Sequence, residues 1–166
     1  MITALQPVVH SRHAAPDALV VYTDGSAQHS TPNLRRPDTA GWAFVAVSAD
    51  TIVRSGAGLV TSAVSSGRAE LQGVVEGVLA CREHARLRVV CDSLDIVQKA
   101  LLLQASGRIP KHRKDKDLWT ALRQLLAATT VEFAWIRGHG DDPFHNEADR
   151  LSRAACRPAA WRPRGA

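Results

Sequence analysis

The sequence predicts one α/β domain built on a mixed sheet. Three observations carry this. Short apolar or alternating runs of strand length dominate the first third, the period switches to helical from Arg68 onward, and strands and helices then alternate to the end. At 166 residues, 45% hydrophobic and 22% charged, the chain suffices for one ordinary core and is short for two. The expected layout is a loose extension over 1–17, a domain over 18–156 and an Arg- and Pro-containing tail over 157–166.

The extension shows no sustained period and ends at Pro16-Asp17. The apolar run Ala18 to Tyr22 reads as a central strand that ends at Thr23-Asp24-Gly25-Ser26, which puts the Asp24 carboxylate at the strand's mouth. Gln28 to Asp38, with Pro32, Asn33 and Pro37, reads as a polar loop. Gly41 to Ser48 alternates Trp42, Phe44 and Ala46 with Ala43, Val45 and Val47, as suits a strand covered on both faces. Thr51 to Val60 makes a third strand, in which Gly56 and Gly58 mark a bulge or a close approach by another element. Short connections make these three an antiparallel meander.

From Arg68, Leu71, Val74, Val75, Val78 and Leu79 fall on one helical stripe. Ser65 or Ser66 caps this helix and puts Glu70 in its first turn, where the helix dipole alone would account for an acid. Strand Leu87 to Cys91 then delivers Asp92 and Ser93, repeating the arrangement at Asp24. Helix Leu94 to Leu103, the basic loop Lys111 to Lys116, a helix with Leu118, Leu122, Leu125 and Leu126 on one side, and strand Val131 to Ile136 follow. Right-handed crossovers in this order add two parallel strands to the three antiparallel ones. The last helix, about Asn146 to Ala155, turns Ala148, Leu151 and Ala155 inward, with Asp149 beside that stripe.

Charge and composition narrow the function classes. A net charge of +5 favours a polyanionic partner. No run approaches the roughly 18 apolar residues of a membrane span, and the N-terminus lacks a signal peptide's apolar block, so a soluble cytoplasmic protein is expected. Cys81, Cys91 and Cys156 lack metal-ligand spacing and read as buried thiols. Four acids on separate elements, Asp24, Glu70, Asp92 and Asp149, suit hard divalent cations, which prefer carboxylate oxygens.

With the acids so placed, the sequence resembles type 1 ribonuclease H from about Val20 to Ala155. The resemblance rests on Tyr22-Thr23-Asp24-Gly25-Ser26, Arg68-Ala69-Glu70-Leu71, Cys91-Asp92-Ser93, Asp117-Leu118-Trp119, Trp135-Ile136-Arg137-Gly138-His139 and Asn146-Glu147-Ala148-Asp149. It implies a ribonuclease H-like fold, a five-stranded mixed sheet with helices on both faces. It also implies endonucleolytic cleavage of the RNA strand of RNA–DNA hybrids to 5′-phosphate and 3′-hydroxyl products; a monomer is assumed. Asp24, Glu70, Asp92 and Asp149 would be the catalytic acids and ligands of two Mg²⁺ (or Mn²⁺) ions. Asp24 is assigned to both ions, Glu70 and Asp92 to the ion nearer the attacking water, and Asp149 to the other.

The same resemblance gives His139 a proton-relay or product-release role in its glycine-flanked loop, while Asp141 and Asp142 read as solvated acids. Candidate nucleic-acid contacts are Ser26, Ser66, Arg68, Ser93, Trp119 and Arg137, with core packing the stronger reading for Trp119. The chain departs from the family pattern at several substrate contacts. Ser66 and Gly67 replace a pair of asparagines, Leu94 a glutamine and His145 an asparagine, and the long basic handle is reduced to the Lys111–Lys116 loop. The alternatives are a nuclease of the same fold with relaxed or different duplex specificity (double-stranded RNA or DNA), or hybrid binding without cleavage.

Overall fold

The computed structural model describes residues 18–29, 39–111, 113–138 and 140–157. The expected extension 1–17, the tail beyond Arg157 and most of the expected polar loop lie outside them. Ten elements follow in order: β1 (Leu19–Gln28), β2 (Thr39–Ser48), β3 (Thr51–Leu59), α1 (Ser66–Ala80), β4 (Arg86–Cys91), α2 (Leu94–Ser106), a 3₁₀ turn (Arg113–Asp115), α3 (Lys116–Leu126), β5 (Thr130–Trp135) and α4 (Pro143–Cys156). The sheet order is β3-β2-β1-β4-β5, with the first three strands antiparallel and β4 and β5 parallel to β1. This is the mixed five-stranded sheet that the alternating elements predict.

Strand alternation divides the core between the two faces. Val21, Phe44, Ala46 and Val89 face the main cluster with Leu71, Val74 and Val78 of α1, Ile96 of α2 and Trp119 and Leu122 of α3. Their neighbours Val45 and Val47 point the other way and pack with Ala148 and Leu151 of α4. Helices therefore cover both faces, three on one and α4 on the other. All three cysteines are buried and free, and burial pushes the Cys91 thiol up to about 12.

Several boundaries differ from the sequence reading, each for a local reason. β1 does not end at Asp24, because pairing with β2 continues to Gln28↔Thr39. Its parallel pairing with β4 stops at Thr23↔Cys91, so Asp24 opens onto the crevice beyond the carboxyl end of β4. In β3, Gly56 and Gly58 mark close approach: a Cβ on either would meet the Phe44 or Trp42 ring at 2.5 and 2.7 Å. The register shift itself lies at Ala46/Val47.

Helix limits shift as well. α2 runs on to Ser106, where Gly107 (φ 68°) stops it in the left-handed region. α4 starts at Pro143 rather than Asn146, because Asp142 caps it by accepting from the amides of Phe144 and His145 at 2.9 and 3.0 Å. Leu79, expected on the inner stripe of α1, is 38% exposed. Glycines take the inward positions instead, and a Cβ on Gly73 or Gly77 would lie 2.9 Å from Ala43 O or Val21 Cγ1. Small residues let α1 press against the sheet, which fixes the height of Glu70 above Asp24.

Candidate active site

Two helices reach the middle of the sheet, one on each face, at glycines of adjacent strands. On one face a Cβ on Gly25 would lie 2.1 Å from the Glu70 amide nitrogen; on the other a Cβ on Gly41 would lie 2.4 Å from Ser152 O. α1 and α4 are thereby held against β1 and β2, next to the end of β4. A cleft of roughly 260 Å³ opens there, and Asp24, Glu70, Asp92 and Asp149 all line it. Ser26 and Ser66 line it too.

Asp24 is 6% exposed, whereas the other three acids are half-buried. Burial raises the Asp24 carboxyl above the ordinary range; the Ser152 hydroxyl, donating to its Oδ2, opposes the rise, and Asp92 and Asp149 add to it. Glu70 is raised as well, first by burial and then by Asp92 and Asp24, although the hydroxyls of Ser93 and Ser66 donate to it. Ser66 Oγ stands 3.3 Å from Glu70 Oε1. Because α1 starts at Ser66, Glu70 is its fifth residue and lies past the first turn, so the dipole explanation for this acid fails. Asp92 is fixed through its backbone, its carbonyl accepting from Trp135 Nε1 at 2.9 Å.

Carboxylates that raise one another's proton affinity are an arrangement that a divalent cation relieves. The tightest group of possible ligands among the described residues is Asp24, Asp92 and His145, which each offer one atom within 4.8 Å of the others. Glu70 and Asp149 line the cleft without entering that group. Arg153, one turn along α4, holds Asp149 Oδ1 at 2.9 Å.

Beyond Asp149, α4 therefore supplies two residues of the cleft lining to which the sequence reading gave no role, His145 and Arg153, and a third, buried Ser152, that bonds Asp24 from behind the lining. His145 is 3% exposed and its Nε2 stands 3.8 Å from Asp92 Oδ1. Burial alone would lower its pKa, but Asp92, Asp24 and Asp142 outweigh that and the net shift is upward. Ser152 is three positions and Arg153 four from Asp149, spacings that put all three on neighbouring parts of one helix surface. That periodicity was the available signal.

The expected nucleic-acid contacts separate into three groups. Ser26 and Ser66 line the cleft, and Ser93 meets Glu70. Arg68 and Trp119 turn inward, so contact with a substrate is corrected for both. The Arg68 side chain is 6% exposed and its guanidinium bonds Asp117 Oδ1 at 2.9 Å, Asp115 Oδ1 at 3.3 Å and Lys114 O at 3.0 Å. It ties α1 to the start of α3. Trp119 is 2% exposed in the main core. Arg137 is exposed and lies outside the cleft lining, and His139 lies outside the described residues. Asp142 is no free solvated acid: besides capping α4 it bonds the Tyr22 hydroxyl, whose pKa is pushed up to about 12 by burial and by this acid.

Comparison with known proteins agrees with this architecture. The RNase H family model matches residues 16–157. The chain is 35% identical over 141 residues to a ribonuclease H of Oleidesulfovibrio alaskensis, covering 80% of this chain and 86% of that protein. It is 31% identical to a ribonuclease H of Treponema pallidum, covering 86% and 93%. Among solved structures it is similar to the N-terminal RNase H domain of Rv2228c from Mycobacterium tuberculosis (TM-score 0.66, 19% identity, 84% of this chain and 93% of that chain). It is also similar to LC11-RNase H1 in complex with an RNA/DNA hybrid (TM-score 0.64, 17% identity, 83% and 96%). On the family match and these two relatives, the chain belongs to the ribonuclease H family.

Proposed function

We propose that the protein is a divalent-metal-dependent endoribonuclease that hydrolyses the RNA strand of RNA–DNA hybrids, leaving 5′-phosphate and 3′-hydroxyl ends. One observation carries the reading: four carboxylates from β1, α1, the end of β4 and α4 line a single cleft. The family relatives supply the reaction class, and one of the similar solved structures is a hybrid complex.

In this reading Asp24, Glu70, Asp92 and Asp149 would hold two ions, Mg²⁺ or Mn²⁺, with Asp24 assigned to both. Bound divalent ions activate a water and offset the charge on the scissile phosphate. The chain's own residues set the rest. Ser152 holds one Asp24 oxygen, the Trp135 indole fixes the Asp92 backbone, and the serines at positions 66 and 93 orient Glu70. Ser26, Ser66 and Ser93 are assigned contacts with ribose hydroxyls, which distinguish RNA from DNA. His139 is assigned proton relay or product release, and exposed Arg137 a phosphate contact. Among the described residues no helix is long and apolar enough to cross a membrane. We assign a monomer acting in the cytoplasm.

The test is a cleavage panel on end-labelled RNA–DNA, RNA–RNA and DNA–DNA duplexes with Mg²⁺, Mn²⁺ or chelator. Metal-dependent cutting of the RNA in the hybrid is expected. Cutting of duplex DNA with the hybrid left intact would overturn the reading, and equal cutting of RNA–RNA would replace hybrid selectivity with relaxed specificity.

A further inference from the structure

We propose that His145 is a direct nitrogen ligand which, with Asp24 and Asp92, builds a cation site that takes Mn²⁺ in preference to Mg²⁺. The inference deepens the metal reading above and rests on it. His145 lies among the acids of the cleft rather than behind them: a ring nitrogen and one oxygen each from Asp24 and Asp92 lie within 4.8 Å of one another.

The state of the ring is the second observation. His145 is 3% exposed and lines the cleft, yet its buried Nε2 has no hydrogen-bond partner among the described residues. A buried polar atom left unsatisfied costs about 1–3 kcal/mol, so a native fold that keeps one has another use for it. The nearest acid pairs with the ring electrostatically but does not hydrogen-bond it. Asp92 Oδ1 is 3.8 Å from Nε2, too far for a hydrogen bond. That separation lies between the about 3 Å of adjacent ligands and the about 4.2 Å of opposite ligands on one ion about 2.1 Å away, so a side-chain shift of under about 1 Å would bring both atoms onto one ion.

The imidazole is also held in place before any ion arrives. Asp142 accepts from the His145 amide at 3.0 Å, and Asp142 is itself bonded by Tyr22 of β1, whose ring packs at 5.6 Å on Phe144. The first turn of α4 is thus anchored to the strand that carries Asp24. Ion preference follows from donor type. Mg²⁺ favours an all-oxygen shell and sheds water reluctantly, whereas first-row transition ions accept imidazole nitrogen readily. A site of two carboxylates and one imidazole therefore shifts selectivity away from Mg²⁺.

The test reads ion binding in the full chain without nucleic acid, so it can fail while hybrid cleavage succeeds, and cleavage can fail while it stands. Pulsed electron paramagnetic resonance of bound Mn²⁺ should show the modulation of a directly coordinated imidazole nitrogen, and both His145→Asn and His145→Gln should remove it. By calorimetry either variant should weaken Mn²⁺ binding about tenfold or more while changing Mg²⁺ binding within about twofold. A wild-type spectrum without nitrogen coupling overturns the proposal whether or not the variants fold. Coupling that persists in the variants overturns it too, as does an equal loss of both ions.

Discussion

The two sides of the cleft are built differently. On the side of β1, β4 and α1, backbone shape sets the carboxylates: Gly25 admits Glu70, β4 ends beside Asp24, and the acids face one another with hydroxyls as the hydrogen-bond donors to Asp24 and Glu70 and no cation from these elements among them. On the α4 side, one helix carries its acid together with basic groups, Arg153 on Asp149 and His145 near Asp92. The first side stores electrostatic stress that His145 of α4 only partly offsets and a cation relieves, whereas Arg153 pairs with the acid of its own helix. Substitutions should therefore act through ions on one side and through side-chain partners on the other.

The largest effect is expected from Asp24→Asn. If Asp24 serves both ions as proposed, its loss removes several kcal/mol of transition-state stabilisation, so hybrid cleavage should fall by about a thousandfold or more while hybrid binding persists. Stability of the ion-free protein should move the opposite way. Asp24 and Glu70 have raised proton affinities in the fold, so their contribution is fully present below the unfolded carboxylate pKa and is lost as pH rises through the folded one. At neutral pH both are then a burden that Asn removes in part. Thermal unfolding in chelator should give a higher Tm for the variant, and a lower Tm would refute the stored stress.

Gly25→Ala and Gly41→Ala compare the two helix contacts. Each adds a Cβ within 2.5 Å of backbone, and each should lose about 1–3 kcal/mol in urea unfolding. Their activities should separate. Gly25→Ala displaces Glu70 directly and should cut poorly even when fully folded, whereas Gly41→Ala presses on α4 at Ser152 O and should spare more activity. Equal losses per folded molecule would erase the distinction.

Ser152→Ala should have a smaller, pH-dependent effect. The hydroxyl opposes the rise in the Asp24 pKa, so removing it raises that pKa further, and the acid limb of the cleavage profile should move to higher pH. An unmoved limb would mean that Asp24 does not govern it. Smallest of all is Arg153→Ala. An exposed i,i+4 pair contributes about 0.3–0.5 kcal/mol, so stability should barely change, while divalent affinity should rise a fewfold as Asp149 is released. Weaker ion binding would instead place Arg153 among the groups that support the site.

How far the sequence revealed this follows the same division. Hydrophobic period exposed every strand and helix, and the acids of the backbone-built side stood in recognisable settings after strands or beside a helix cap. Boundaries were less legible, because β1 continues past Asp24 only through pairing with β2 and α4 begins early only through the Asp142 cap. Residues that work through tertiary partners were hidden. Arg68 looked free to meet phosphate until Asp115 and Asp117 came to it from 47 and 49 positions away, and Ser152 had no meaning until it met Asp24 across 128. His145 read only as a departure from a substrate contact, since its position against Asp92 depends on how α4 crosses the sheet.

Anomalous diffraction from crystals soaked in Mn²⁺ tests the central claim most directly. A peak in the cleft contacted by carboxylate oxygens of Asp24 and Asp92 is the predicted result. Saturating Mn²⁺ that leaves the cleft without a peak, or that binds only away from Asp24, Glu70, Asp92 and Asp149, would contradict it.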